Sequence, residues 1–122
     1  MAAATTTRDD DKDAVRSQVR QIIEHLLKLE HSPSTHPRRA WRLSVREVRV
    51  RVNDALTGTL ERETREALDK LYEGGRELAV EAMREFGEEA AASRVPDACP
   101  YTFDKILDAA WFPAPRADGV GG

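Results

Sequence analysis

Apolar residues recur at intervals of three or four positions through most of the chain, which is the spacing of an α-helix. The first series predicts a helix over residues 13–31. Its apolar positions are Val15, Val19, Ile22, Ile23, Leu26, Leu27 and Leu29. An apolar face this wide is typical of a helix that packs against two neighbours rather than one.

A second series predicts a helix over residues 39–56, after a segment rich in serine and proline (residues 32–37) that ends the first helix. Its inward positions are Trp41, Val45, Val48, Val52 and Ala55. Valine favours β-strands, but the spacing of three or four positions outweighs that preference here.

The third series predicts one long helix from residue 60 to about residue 86 and beyond into residues 88–92, with Thr59 as its N-cap. Its inward positions are Leu60, Thr64, Leu68, Leu71, Gly75, Leu78, Ala82 and Phe86. Two adjacent glycines, Gly74 and Gly75, interrupt the series. They predict either a kink or the close approach of a neighbouring backbone.

The segment after residue 95 is dense in prolines and aromatic residues. Pro96 and Pro100 favour an extended backbone, and Thr102 is placed to cap a short helix. The apolar side of that helix is Phe103, Ile106, Leu107, Ala110 and Trp111. Because the third helix is predicted to be longer than the other two, we expect Phe103 and Trp111 to dock on its second half.

Together these elements predict an all-α fold: an antiparallel bundle of three main helices plus a short C-terminal helix, within residues 13–113. Charged residues make up 34% of the chain and aromatic residues 6%, a balance that favours a helical bundle over a sheet. Residues 1–12 and 114–122 contain few large apolar residues, and we expect both segments to be disordered tails.

Composition also bears on the compartment and the partners. The single cysteine cannot form an internal disulfide. No apolar run approaches the length of a membrane span, and the N-terminus lacks the apolar core of a signal peptide. We therefore expect a cytoplasmic protein without membrane contact. The net charge of −3 gives no overall reason to bind nucleic acid.

Several short motifs follow one another along the chain. They are His25-Leu-Leu-Lys28, Pro33, Trp41-Arg-Leu-Ser-Val45 with Arg49, Thr59-Leu60, Tyr72, Cys99-Pro-Tyr-Thr102, Ile106-Leu-Asp108 and Trp111-Phe-Pro113. In this order and spacing they resemble the domain of unknown function 29 family, over residues 14–113. The resemblance implies an all-α fold, a bacterial source and no established biochemical activity.

The resemblance also implies further helical sequence ahead of the first helix, which residues 1–12 are not expected to form. Either the start site is misplaced, or the chain is a shortened member of the family. Part of the wide apolar face of the first helix is then expected to stay uncovered, at Val19, Ile23 and Leu27. Exposed apolar patches of that size mark interaction sites, and most soluble homo-oligomers are two-fold dimers. The face therefore predicts a homodimer or a protein partner that docks on the first helix.

Arginines are concentrated in the second helix, where residues 38–51 hold six of them against one glutamate. The candidate face for an anionic partner is Arg39, Arg42, Arg46 and Arg49. With Trp41 nearby, this face could bind the phosphate backbone of a nucleic acid. The favoured interpretation is structural: residues 61–89 hold ten acids against five bases, and an adjacent antiparallel helix of that charge would neutralise the arginines.

No motif indicates catalysis, and no catalytic residue, cofactor or metal is expected. His25 and His31 fall on different helix faces, so solvated histidines are favoured over a metal site with Cys99. Cys99 lacks an activating neighbour in the sequence and is interpreted as a packing cysteine. The function expected is that of a non-enzymatic interaction or oligomerisation module. The alternative is a nucleic-acid-associated accessory protein that uses the arginine face.

Overall fold

The computed structural model describes the backbone of residues 2–116 and the side chains of residues 12–116. Within this part of the chain the regular secondary structure is entirely α-helical, which confirms the predicted fold class. The helices are α1 (Ala2–His31), α2 (Arg38–Ala55), α3 (Gly58–Glu66), α4 (Leu68–Glu85), α5 (Glu89–Arg94) and α6 (Phe103–Leu107). The backbone of α1 begins at Ala2, so residues 2–12, expected to be a tail that cannot form helix, are the first part of this helix. Most of the predicted tail of residues 114–122 lies outside the described residues.

The first helix is the centre of the bundle, and α2 and α4 both pack against it. Its wide apolar face is buried along its whole described length, from Val15 to Leu29. Val19, Ile23 and Leu27 are each 0% exposed, so the predicted docking surface on this helix is wrong. The physical reason is that α2 and α4 of the same chain cover adjacent arcs of α1 and leave no apolar stripe for a second copy.

The predicted third helix is divided into α3, α4 and α5, because the chain turns at Ala67 and again after Glu85. The backbone N–H of Ala67 is shared between the carbonyls of Glu63 and Thr64, which tightens the first turn. The N-cap of α3 is Thr57 and not the predicted Thr59. The buried residues of α4 are Leu71, Tyr72, Gly75, Ala79, Val80 and Met83.

Two residues predicted to face inward are on the surface. Leu78 is 44% exposed and Phe86 is 79% exposed. Leu71 and Gly75 keep their predicted inward positions, and the observed series leaves the predicted one only beyond Gly75, where Ala79 and Met83 are buried in place of Leu78 and Phe86.

The glycine pair lies within α4 and marks a close approach rather than a kink. α4 continues through both positions, from Leu68 to Glu85. A Cβ added to Gly75 would lie 2.6 Å from Cγ2 of Ile23 and 2.9 Å from the backbone oxygen of Arg20. Gly75 therefore allows α4 to lie unusually close to α1.

The C-terminal segment begins on α4 and then leaves it. The hydroxyl of Tyr72 donates a hydrogen bond to the carbonyl of Pro96, and Nε of Arg76 donates to the same oxygen at 3.0 Å. Thr102 caps α6 as predicted, since its Oγ1 accepts a bond from the Lys105 N–H at 3.1 Å. However, α6 packs against α1 and α2, so its predicted position on the second half of α4 is wrong.

A buried carboxylate holds the end of the described chain against α1. Glu30 is 6% exposed and accepts a hydrogen bond from the hydroxyl of Tyr101 at 2.7 Å. Nε of Arg116 donates to the same carboxylate, and the Arg116 N–H donates to the Glu30 carbonyl at 2.7 Å. Arg116, inside the predicted C-terminal tail, is therefore attached to the bundle.

His31 next to this carboxylate is buried, so the prediction of solvated histidines is wrong for this residue. It is 4% exposed, and neither ring nitrogen has a hydrogen-bond partner among the described residues. Its Nε2 lies 4.0 Å from Oε2 of Glu30. Burial lowers the pKa of His31 and outweighs the opposing attraction of Glu30, while Arg116 and Arg94 lower it further.

The bundle is therefore expected to lose stability in mild acid. A folded-state pKa below the ordinary value of about 6.5 means that the unfolded chain binds the proton more readily. The contribution is fully present above about pH 6.5 and is lost as the pH falls towards the folded-state pKa. Urea unfolding across this range should show a slope that His31→Leu reduces. His36→Leu, at an exposed position, should leave the slope unchanged; an identical slope in the His31 variant would contradict the prediction.

Candidate interaction surface

One exposed side of α2 carries apolar and basic residues in alternation, next to the exposed acids Glu47 and Asp54. Its inward side is Val45, Val48, Arg49 and Val52, all buried. Opposite them, at spacings of four, three and four, lie Arg39, Leu43, Arg46 and Val50, which we call the α2 stripe. Leu43 is 52% exposed and Val50 is 60% exposed. Large aliphatic side chains this exposed, set between arginines, distinguish this face from a solvated helix surface.

Arg49 does not belong to the anionic-partner face, which corrects the prediction. Arg49 is 1% exposed, and it follows Val45 and Val48 on the side of α2 that faces the C-terminal segment. Its guanidinium donates to three backbone carbonyls at 2.7, 2.8 and 3.2 Å, those of Ile106, Trp111 and Lys105. Burial lowers the pKa of Arg49 to about 10, partly opposed by Asp108, so it remains charged at neutral pH. Its role is to hold the C-terminal segment.

The other three candidates, Arg39, Arg42 and Arg46, are exposed. None of them forms an ion pair with an acid of α4 within the described residues. The reason is the order of the bundle: α2 and α4 each pack extensively against α1, and hardly against one another. The predicted neutralisation by an adjacent acidic helix is therefore wrong.

Aromatic residues of the C-terminal segment extend the basic surface. The guanidinium of Arg46 lies 5.7 Å from the ring centre of Phe112, and Nζ of Lys105 lies 5.5 Å from that of Trp111. Both rings are half-buried. The role of Phe112 could not be predicted, because nothing local in the chain shows that it returns to α2.

Trp41 lies apart from this surface. Its ring has Nζ of Lys28 at 5.1 Å from its centre, and it lines a groove of about 280 Å³ between the start of α2 and the end of α4. Met83 and Phe86 line the opposite side of the groove. The proposed stacking of a base on Trp41 beside the arginines therefore has no geometric support.

The remaining candidates for chemistry are a metal site and the thiol of Cys99. No group of three or more histidine, cysteine or acidic side chains in the described part of the chain is arranged to hold a metal ion. Burial raises the pKa of the Cys99 thiol, which donates to the carbonyl of Tyr101 at 3.2 Å. A thiol kept protonated in this way is a poor nucleophile.

The comparisons with known proteins give a family without an assigned activity. The model of the domain of unknown function DUF29 matches residues 5–112. The chain belongs to this family. No curated protein and no solved structure matches it. The match confirms the resemblance and reaches further towards the N-terminus than residue 14, where the motifs begin. Among the described residues of this DUF29 protein, none of the helices has the length and hydropathy needed to cross a membrane.

Proposed function

We propose that this DUF29 protein is a non-enzymatic module that binds an acidic protein partner through the α2 stripe. The observation that carries the proposal is the alternation of Arg39, Leu43, Arg46 and Val50 on one exposed helix face. Burying apolar side chains contributes about 25 cal/mol per Å² of apolar area. Arginines beside them attract an acidic partner and fix its register.

A nucleic-acid partner is the second candidate. The observation in its favour is that Arg46 and Lys105 lie against the rings of Phe112 and Trp111. Proteins that bind single-stranded nucleic acids combine basic and aromatic side chains in this way. Against it, Leu43 and Val50 are exposed between the arginines, and aliphatic side chains make no favourable contact with a phosphate backbone. A protein partner can bury the aliphatic side chains and pair with the arginines.

Two double variants separate the candidates. The probes are a synthetic amphipathic helix with leucines and glutamates on one face, and a single-stranded oligonucleotide of mixed sequence. Leu43→Ser with Val50→Ser should weaken peptide binding about tenfold or more, equivalent to about 1.4 kcal/mol, and so should Arg39→Glu with Arg46→Glu. Fluorescence anisotropy titrations measure both. Arg51→Glu is the control, because Arg51 is exposed on α2 but lies off the stripe.

The outcomes are distinct. If the oligonucleotide binds, and only the arginine variant weakens it with a reduced salt slope, the partner is nucleic acid and the proposal is wrong. If the wild type binds neither probe, both candidates fail. All these positions are on the surface, so circular dichroism and the melting temperature should stay near those of the wild type.

A further inference from the structure

We infer that the acidic partner of the α2 stripe is α4 of a second copy of this chain, so that copies associate head to tail. The inference rests on the proposed function and names its partner. It starts from the outward side of α4, where Leu78, Glu81 and Glu85 are exposed at spacings of three and four. We call these residues the α4 stripe.

The glutamates of the α4 stripe have no cation of their own. Within the described residues Glu81 and Glu85 form no ion pair, and the nearby bases are engaged elsewhere. Arg76 pairs with Asp97 at 3.1 Å, and Arg84 pairs with Glu89 at 3.1 Å. The negative charge of this face is therefore available to a partner.

The two stripes are opposite in charge, and both carry exposed aliphatic side chains. The exposed large apolar residues of the described chain are Leu43, Val50, Leu78 and Phe86. Leu43 and Val50 belong to the α2 stripe and Leu78 to the α4 stripe, whereas Phe86 lines the groove beside Trp41. The charges of the α2 stripe are Arg39 and Arg46, with exposed Glu47 beside them, and those of the α4 stripe are Glu81 and Glu85. Laying one face on the other buries these aliphatic groups and brings the arginines to the glutamates.

The two faces of a single copy cannot meet, because α2 and α4 are both packed on α1. A contact between α2 of one copy and α4 of the next is heterologous: each bound copy still offers one free α2 and one free α4. Such a contact continues until it closes a ring or forms an open chain. Exposed ion pairs contribute little individually and are screened by salt, so the association should depend on concentration and ionic strength.

Charge reversal on either helix provides the test. In sedimentation equilibrium at low salt, the average mass of the wild type should rise above 13.7 kDa with concentration and return towards it at high salt. Arg39→Glu with Arg46→Glu makes both faces acidic, and Glu81→Arg with Glu85→Arg makes both basic. Each variant alone should remain at monomer mass. An equimolar mixture should recover the larger species, because each acidic face then meets a basic one.

Failure of this inference differs from failure of the proposed function. A wild type that stays at monomer mass at low salt overturns the head-to-tail contact, and so does a mixture of the two variants that does not recover association. If that wild type still binds the acidic peptide through α2, the proposed function stands with another partner. Arg51→Glu should associate like the wild type, and its loss of association would assign the contact to another face.

Discussion

Replacing Arg49 with alanine is expected to lower the free energy of unfolding by about 3–5 kcal/mol, because it removes the donor that three carbonyls share. Arg49 is 1% exposed, so the carbonyls of Lys105, Ile106 and Trp111 lose their shared guanidinium partner in a largely buried region. The truncation also leaves a cavity between α2 and the C-terminal segment. Urea unfolding followed by circular dichroism measures the loss.

Two controls test the cause. Arg46→Ala, one turn earlier on the exposed side, should change the unfolding free energy by no more than about 0.5 kcal/mol. Arg49→Lys keeps the charge but not the planar fork that reaches three acceptors, so it should recover only part of the stability. Trp111 reports on detachment of the C-terminal segment from α2, because its fluorescence should shift to longer wavelength in Arg49→Ala as its ring becomes more exposed to water. If Arg49→Ala were as stable as Arg46→Ala, the assigned role of Arg49 would be wrong.

The helices α1 and α2 could be predicted because their apolar residues alone determine which side is buried. The spacing of Val15, Val19, Ile22 and Leu26 places them on one face of α1, and the segment of residues 32–37 ends this helix. The width of that face correctly predicted two neighbours. It did not say where the neighbours come from, and a second copy was expected where α2 and α4 of the same chain lie.

The turn at Ala67 could not be predicted from local signals. Neither glycine nor proline stands there, and alanine is a strong helix former. The turn is visible only in the fold, where Arg65 of α3 pairs with Asp104 of α6 while α4 packs on α1. The inward positions were placed correctly at Thr64, Leu71 and Gly75, while Leu78 and Phe86 were not.

The candidate interaction surface could also be predicted only in part. Helical spacing places Arg49 beside Val45 and Val52, so its inward position was readable from the sequence, but its type suggested an exposed residue. The outward position of Leu43 and Val50 was also readable from the period of α2. What the sequence could not show is that the acids of α4 lie too far from these arginines to neutralise them, because that depends on α1 lying between the two helices.

Replacing Gly75 with alanine is expected to destabilise the bundle by about 2–3 kcal/mol, although alanine favours helices by about 1 kcal/mol over glycine. The added Cβ would lie 2.6 Å from Cγ2 of Ile23 and 2.9 Å from the backbone oxygen of Arg20. A backbone atom of α1 cannot move aside without shifting the helix, so α4 must separate from the core residues it covers. Thermal and urea unfolding measure the change.

Gly74→Ala is the matched control, since it adds the same methyl group one position earlier on the same helix. Its Cβ would lie 2.5 Å from Cδ of Arg20, which is the middle of a long and flexible side chain that can adopt another rotamer. We therefore expect Gly74→Ala to range from neutral to about 1 kcal/mol more stable than the wild type, through its higher helix propensity. Opposite signs at adjacent glycines would establish that α4 approaches the backbone of α1 at Gly75. Equal effects at the two positions would show that both glycines act through helix propensity alone. The close approach to α1 would then not explain the glycine at position 75.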